Sequence, residues 1–248
     1  MQSTLEGKTA VVTGGTQGIG GAITSLFLEH GANVCAFYHR DEMAAKQLHD
    51  SVGASRDRLQ TLRVDVSDYH AVSSAFDTLR ARWGAANILV NNAAVHCPIT
   101  AFERQDNRTW SEVFSINVLG VVFATKLAIP PMKEARWGRI INISSMAATD
   151  GLPNGSPYAA SKASLLGLTR SLAKEVAPYA ITVNALLPGM TETRMANVLP
   201  RDAYDRLLST IPIGRIADSK EVASLVAFLA GGSASYISGS LIPVSGGR

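Results

Sequence analysis

The chain of 248 residues has only two cysteines, Cys35 in an apolar run and Cys97 after Val95 and His96, at no metal-ligand or redox spacing. That scarcity excludes a disulfide framework and makes a reducing, cytoplasmic setting the expectation, with no metal called for. Long apolar runs are missing too. The longest, such as Val118 to Thr125, stop well short of a membrane span, and Met1 to Lys8 carries no apolar signal core, so neither secretion nor membrane insertion is expected. Three Asn-x-Ser/Thr matches, beginning at Asn107, Asn142 and Asn154, therefore count as chance. Charge of one sign is equally scarce: 23 Lys+Arg face 20 Asp+Glu, and the net +3 comes from scattered residues. This argues against a nucleic-acid surface while leaving room for a basic pocket around a phosphorylated ligand. Linkers, repeats and low-complexity segments are absent from the sequence, and nothing divides it into domains.

What is present is a globular composition, 46% hydrophobic and 17% charged, enough to bury a sizeable core in a single domain spanning 1–248. Short β-branched or apolar runs recur at Thr9 to Thr13, Asn33 to Tyr38, Leu59 to Val64, Ile88 to Asn91, Arg139 to Ser144, Thr182 to Leu187 and Leu241 to Val244. Amphipathic helical patterns separate them, at about Gly18 to His30, Asp41 to Val52, Asp68 to Trp83, Thr109 to Ala135, Pro157 to Ala177, Arg201 to Ser209 and Ser219 to Ala230. Strands alternating with helices imply parallel pairing through right-handed crossovers. The expectation is an α/β fold, a doubly wound parallel seven-stranded sheet flanked by helices, of Rossmann type. Pro130 and Pro131 should kink or disturb the fourth helix rather than end a domain. In such sheets ligands bind beyond the carboxyl ends of the strands, so each candidate residue can be tested by whether it follows one.

Directly after the first strand comes Thr13-Gly14-Gly15-Thr16-Gln17-Gly18-Ile19-Gly20. Glycines there permit a tight turn and close approach of backbone to ligand, and the following helix offers free amides and a partial positive charge to a pyrophosphate. A plain strand-to-helix turn would look similar, but the position at the first βα crossover favours a dinucleotide. Tyr158 and Lys162, four residues apart at the start of a helix, project from one face. A fixed ammonium beside the phenol would lower its pKa and fit it for acid-base chemistry on an alcohol or carbonyl. An isolated pair of this kind is also compatible with an ordinary helix surface.

Taken together these motifs resemble the short-chain dehydrogenase/reductase family, in its compact subfamily, over essentially the whole chain. The likeness rests on Thr13 to Gly20 (TGxxxGIG), Asn91 to Ala94 (NNAA in place of the usual NNAG), Asn117 in the fourth helix, Ser145 at the end of the fifth strand, Tyr158 to Lys162 (YxxxK), and Pro188-Gly189 after the sixth strand. The resemblance implies that Ser145 hydrogen-bonds the substrate oxygen, that Tyr158 donates or removes its proton, and that Lys162 keeps the phenol acidic and bonds the nicotinamide ribose. It implies that Asn117 holds a backbone distortion and a water linking Lys162 to solvent. The cofactor would meet Gly14, Thr16, Gln17, Gly18 and Ile19 at its phosphates, Asp65 and Val66 at the adenine, and Asn92 and Ala93 near the adenosine ribose, with Asn91 bracing the central strands. Pro188 and Gly189 would turn beneath the nicotinamide, Thr191 would read the carboxamide, and Thr193 would meet phosphate. At the end of the second strand stand Tyr38, His39 and Arg40 instead of an acidic residue, so no carboxylate repels a 2′-phosphate and two neighbours could bind it. NADP (NADPH) is favoured and NAD stays open, since Gln17 replaces an arginine common in NADP-dependent relatives.

Three segments should enclose the substrate: Val95 to Asp106, Met146 to Pro157, and a lid at about 190–215 that includes Arg194. His96 reads as a loop surface residue rather than a second acid-base group. Within the family the chain is similar to 3-oxoacyl carrier-protein reductases and related bacterial ketoreductases. That likeness implies a ketone reduction on a small-molecule or acyl-carrier-linked substrate, with a secondary-alcohol or sugar-type dehydrogenase, or a non-catalytic dinucleotide-binding regulator, as alternatives. Arg136 fits a carrier-docking position, whereas Tyr179 stands where a second basic residue would be expected, and the terminal Val244-Ser245-Gly246-Gly247 departs from the usual VDGG. A homotetramer is implied, built on the fourth helix and the Tyr158 helix, whose Ala159, Ala163, Leu166 and Leu172 suit burial there and would equally suit packing on the sheet.

Overall fold

The computed structural model of the protein describes residues 4–192 and 208–248. Seven strands, β1 (Thr9–Thr13), β2 (Asn33–Tyr38), β3 (Leu59–Arg63), β4 (Ile88–Asn91), β5 (Gly138–Ile143), β6 (Ile181–Pro188) and β7 (Leu241–Val244), form one sheet in the order β3-β2-β1-β4-β5-β6-β7. Every pairing is parallel. β1, β4, β5 and β6 are buried along their whole lengths, which explains why they read as largely apolar or β-branched runs instead of alternating ones. β3 departs from the sequence reading by one residue at its end, and β5 and β6 by one residue at each end, where hydrogen bonding rather than composition sets the limit.

Eight helices are described: α1 (Gly18–Glu29), α2 (Glu42–Ser51), α3 (Tyr69–Trp83), α4 (Asn107–Phe114), α5 (Gly120–Ala135), α6 (Ala147–Asp150), α7 (Ser156–Val176) and α8 (Ser219–Ala230). One core layer joins α1 and α8 to the sheet through Ile23, Phe27, Val222 and Val226. The other joins α3, α5 and α7 through Phe76, Leu79, Ala124, Ala128 and Val176. Helices thus cover both faces, as a doubly wound sheet requires. Asp41 caps α2 by accepting from the Ala44 amide at 2.8 Å, and Asp68 and Asp218 do the same for α3 and α8. Both cysteines are free and buried, and burial pushes the Cys35 thiol up to about 12.

The expected single helix at Thr109 to Ala135 is interrupted. A π turn at Ser115–Leu119 separates α4 from α5, and the helix runs on through Pro130 and Pro131. By length and composition alone the combined stretch Asn107–Ala135 could cross a membrane, as the core helix of a globular fold also can. Its Val121, Ala124, Ala128 and Met132 are buried within the fold. The helix expected at Arg201 to Ser209 and much of the lid at about 190–215 lie outside the described residues, as do Thr193 and Arg194. The sheet winds outward in opposite directions from β1 and β4, and the crevice beyond their carboxyl ends is where the fold places a ligand.

Candidate active site

The crevice is lined by the glycine turn after β1 and the Asn91–Ala94 segment after β4. Gly14 adopts a left-handed φ of 61°, and a Cβ there would stand 3.0 Å from the Ala93 Cα. Asn92 clamps the turn: its Nδ2 donates to the carbonyl oxygens of Thr13 and Gly14 at 2.9 and 3.0 Å. The Thr13 hydroxyl oxygen accepts from the Asn92 and Ala93 amides at 2.9 and 3.0 Å, stitching the ends of β1 and β4 together. The turn leads into α1 with Gln17 as its first flanking residue, so the amides of Gly18 and Ile19 have no carbonyl a turn earlier to bond. A cradle of side-chain-free backbone at a helix N-terminus fits a dinucleotide pyrophosphate. Asn91 braces the sheet as expected, donating to Asn142 Oδ1 at 2.8 Å and Thr125 Oγ1 at 3.2 Å.

At the adjoining end of β2 and β3, the structure brings His39, Arg40 and Asp65 together. His39 Nε2 is 3.7 Å from Asp65 Oδ2. Burial alone would raise the Asp65 carboxyl, but hydrogen bonds from the Ser67 hydroxyl and amide, with the charges of His39 and Arg40, hold it below its usual range. Tyr38 is half-buried, while His39 and Arg40 are exposed. On the far side, Pro188 ends β6, the Gly189 amide donates to Val244 at 2.9 Å, and the buried Thr191 bridges to Ala217.

The remaining groups converge beyond β5. Ser145 lies two residues past that strand, its Oγ accepting from the Ala147 amide at 3.1 Å and facing the Tyr158 phenol. Tyr158 and Lys162 sit on the first two turns of α7. Ser144 Oγ donates to the Lys162 carbonyl at 2.9 Å, tying α7 to the strand end. Lys162 is 3% exposed, and its Nζ donates to the Ile143 carbonyl at 2.8 Å and lies 5.9 Å from the centre of the Tyr158 ring. Burial pushes the lysine down to about 8 and raises the tyrosine, which the Ser145 hydroxyl opposes. The expectation of a lysine-depressed phenol pKa is corrected here: both groups lose hydration, and both move toward their neutral forms.

Asn117 is fully buried within the π turn. Its Oδ1 accepts from the Val95 amide at 2.8 Å and its Nδ2 donates to the Val95 carbonyl at 3.0 Å and to Ser161 Oγ at 3.0 Å. Ser161 in turn donates to the Tyr158 carbonyl at 2.7 Å. The expected backbone distortion is therefore present, and it couples the β4 loop to the tyrosine's own turn of helix. Ser144 and Ser161 were not singled out from sequence, although Ser144 adjoins Ser145 and Ser161 adjoins Lys162, and Thr13 was named only as the first residue of the glycine motif, with no role given to it. His96 also departs from its surface reading: it is half-buried, with its ring stacked on Tyr158.

A family model described as enoyl-(acyl carrier protein) reductase matches residues 14–248. Among curated proteins, the 3-oxoacyl-[acyl-carrier-protein] reductase FabG of Salmonella typhimurium is 38% identical over 243 residues, covering 98% of both chains. The enzymes of the same name from Chlamydia muridarum, at 36% over 250 residues, and Thermotoga maritima, at 35% over 243, cover 98% or more of this chain and of their own lengths. With full-length likeness at this level and the motifs set in one crevice, the chain belongs to the short-chain dehydrogenase/reductase family.

Proposed function

We propose that the protein is an NADPH-dependent reductase of 3-oxoacyl-type ketones. The observation that carries this reading is the convergence of Ser145, Tyr158 and the buried Lys162 beyond β5, beside the glycine cradle between β1 and β4, in a chain whose full-length relatives are named as 3-oxoacyl-[acyl-carrier-protein] reductases. The nicotinamide, when bound, supplies the hydride. Tyr158 donates its proton to the ketone oxygen, and the Ser145 hydroxyl stabilises the charge developing there. Burial favours the protonated phenol of Tyr158, the form that reduction needs, while making it a weaker acid, which the Ser145 hydroxyl opposes. Lys162 lies buried beside Tyr158 with its Nζ bonded to the Ile143 carbonyl, and Asn117 holds the β4 loop and α7 in register. His39 and Arg40 favour a 2′-phosphate, since an exposed imidazole and an exposed guanidinium stand where a carboxylate would discriminate against it.

An acyl-carrier-linked substrate suits the surface near the end of α5. Arg136 is exposed and bonds the Pro178 carbonyl at 2.8 Å, and Lys133 places its ammonium 4.6 Å from the centre of the Tyr179 ring. The tyrosine at the expected basic position is thus accompanied by a cation. A cytoplasmic homotetramer completes the proposal.

The test is a panel of 3-oxoacyl thioesters and simple ketones, followed by loss of NADPH or NADH absorbance in parallel. Tyr158→Phe should lower kcat by about 10²–10⁴-fold, the contribution of a positioned general acid. An undiminished rate in that variant would sink the mechanism, and a strong preference for NADH would overturn the roles given to Tyr38, His39 and Arg40.

A further inference from the structure

The imidazole of His96 lies face to face with the phenol of Tyr158, ring centroids 4.5 Å apart and planes 27° from parallel. The imidazole is itself held. Its Nδ1 is 2.7 Å from the carbonyl oxygen of Cys97, and because a carbonyl only accepts, Nδ1 carries the hydrogen. Cys97 is 4% exposed and anchors the loop on one side of His96. On the other side, both backbone groups of Val95 are bonded by the Asn117 side chain. The loop after β4 therefore presents one ring from a segment fixed at both flanks. Around the phenol stand Ser145 from the end of β5, Lys162 from α7, and His96 with Cys97 from this loop.

A tyrosine ring turns about two side-chain torsions, and α7 constrains only the backbone from which they start. Proton donation requires the hydroxyl within about 2.6–3.2 Å of its acceptor, so a tilt of the ring costs rate directly. We infer that His96 is a positioning residue for Tyr158, its ring forming the side wall that fixes the phenol plane. This inference rests on the role given above to Tyr158. His96 exchanges no proton in this scheme and acts only through the ring it covers.

Two substitutions separate the stack from the loop contact. His96→Asn keeps a side-chain N–H able to donate to the Cys97 carbonyl but removes the ring, and His96→Phe keeps the ring but removes the donor. With saturating NADPH and a 3-oxoacyl thioester, His96→Asn should lower kcat roughly two- to tenfold, the factor an aromatic pair is worth. Its KM for NADPH and its calorimetric NADPH affinity should stay at wild-type values, and its melting temperature should fall by no more than about 2–4 °C. His96→Phe should restore kcat to within about twofold of wild type, because an offset ring pair supports the phenol without the nitrogen. Added to Tyr158→Phe, His96→Asn should cost nothing further, since a residue acting through the hydroxyl has no effect once it is gone. Wild-type kcat in His96→Asn, a loss in His96→Phe but not in His96→Asn, or full additivity with Tyr158→Phe would each overturn the inference. If instead Tyr158→Phe alone kept the wild-type rate, the proposed mechanism would fall, a result readable independently of the His96 variants.

Discussion

Lys162 holds an amine in a place that disfavours its charge. The Ile143 carbonyl accepts one of its hydrogens, yet the nitrogen is buried enough to be pushed down to about 8 from the ordinary lysine value of 10.5. The sign follows from linkage. Between those two values the unfolded chain binds more protons than the folded one, so stability rises with pH across that window. The charging penalty is fully present below about 8 and gone above 10.5. Lys162→Met keeps the length of the side chain and deletes the charge. Without cofactor it should stabilise the protein at pH 7 by on the order of 1–3 kcal/mol, a gain of the kind seen when a strained functional group is removed. The advantage over wild type should shrink steadily as pH rises from 8 to 10.5, where wild-type Lys162 becomes neutral in both states. Melting curves at several pH values read this out, and a gap independent of pH would show that the amine is not the source. Activity should fall in the same variant, which sets stability against function at a single side chain.

Among the elements, α1 depends most directly on one missing side chain. A Cβ on Gly20 would meet the Gly14 carbonyl oxygen and stand 2.5 Å from Asn92 Nδ2. Gly20→Ala must therefore shift α1 away from the turn or move the turn itself, and either change displaces the amides proposed for the pyrophosphate. We expect a loss of about 1–3 kcal/mol in stability from overpacking, and NADPH binding weakened at least roughly tenfold by calorimetry, the cost of a misplaced cradle. Wild-type affinity would remove the phosphate role from the turn. The glycine turn was legible in the sequence because its chemistry is local: the spacing of glycines, the preceding strand and the following helix all lie within a dozen residues. The strands were legible for a similar reason: the four buried along their whole lengths leave short, largely apolar or β-branched runs between amphipathic helices, and the edge strands β3 and β7 follow at the same spacing. The π turn was not. Asn117 distorts its helix through bonds to Val95 and Ser161, which lie far off in sequence, and no local pattern in Ser115–Leu119 announces them. His96 was misread on the same ground, because its contact with Tyr158 depends on how the β4 loop returns over α7. The YxxxK spacing placed Tyr158 and Lys162 together correctly, but spacing carries no information about burial, and burial decides the direction of both pKa shifts.

For the whole molecule, the proposed tetramer makes a demand on α7 that the isolated chain does not. Ala159, Ala163, Leu166, Gly167 and Arg170 fall within an arc of about 100° on that helix, given 100° of turn per residue. Ala159, Ala163 and Leu166 are only partly covered, Gly167 and Arg170 are exposed, and Leu119 beside α5 is 46% exposed. Gly167 separates the possibilities well, because a Cβ there meets nothing within 4 Å. A glycine inside a helix costs about 1 kcal/mol relative to alanine, so on a free surface any ordinary side chain should stabilise the fold. If α7 packs against its counterpart in a neighbouring subunit, the lack of a side chain instead lets two helices approach. Gly167→Arg should then split the tetramer into smaller species by light scattering at micromolar concentration while leaving circular dichroism unchanged, because the substitution meets no group of its own chain. Gly167→Ala provides the control, adding one methyl group and no charge, and should remain assembled. A Gly167→Arg protein that stayed tetrameric would place the interface elsewhere. Dissociation together with reduced activity would mean that the α7 bearing Tyr158 and Lys162 is held in its working position partly by another copy of itself.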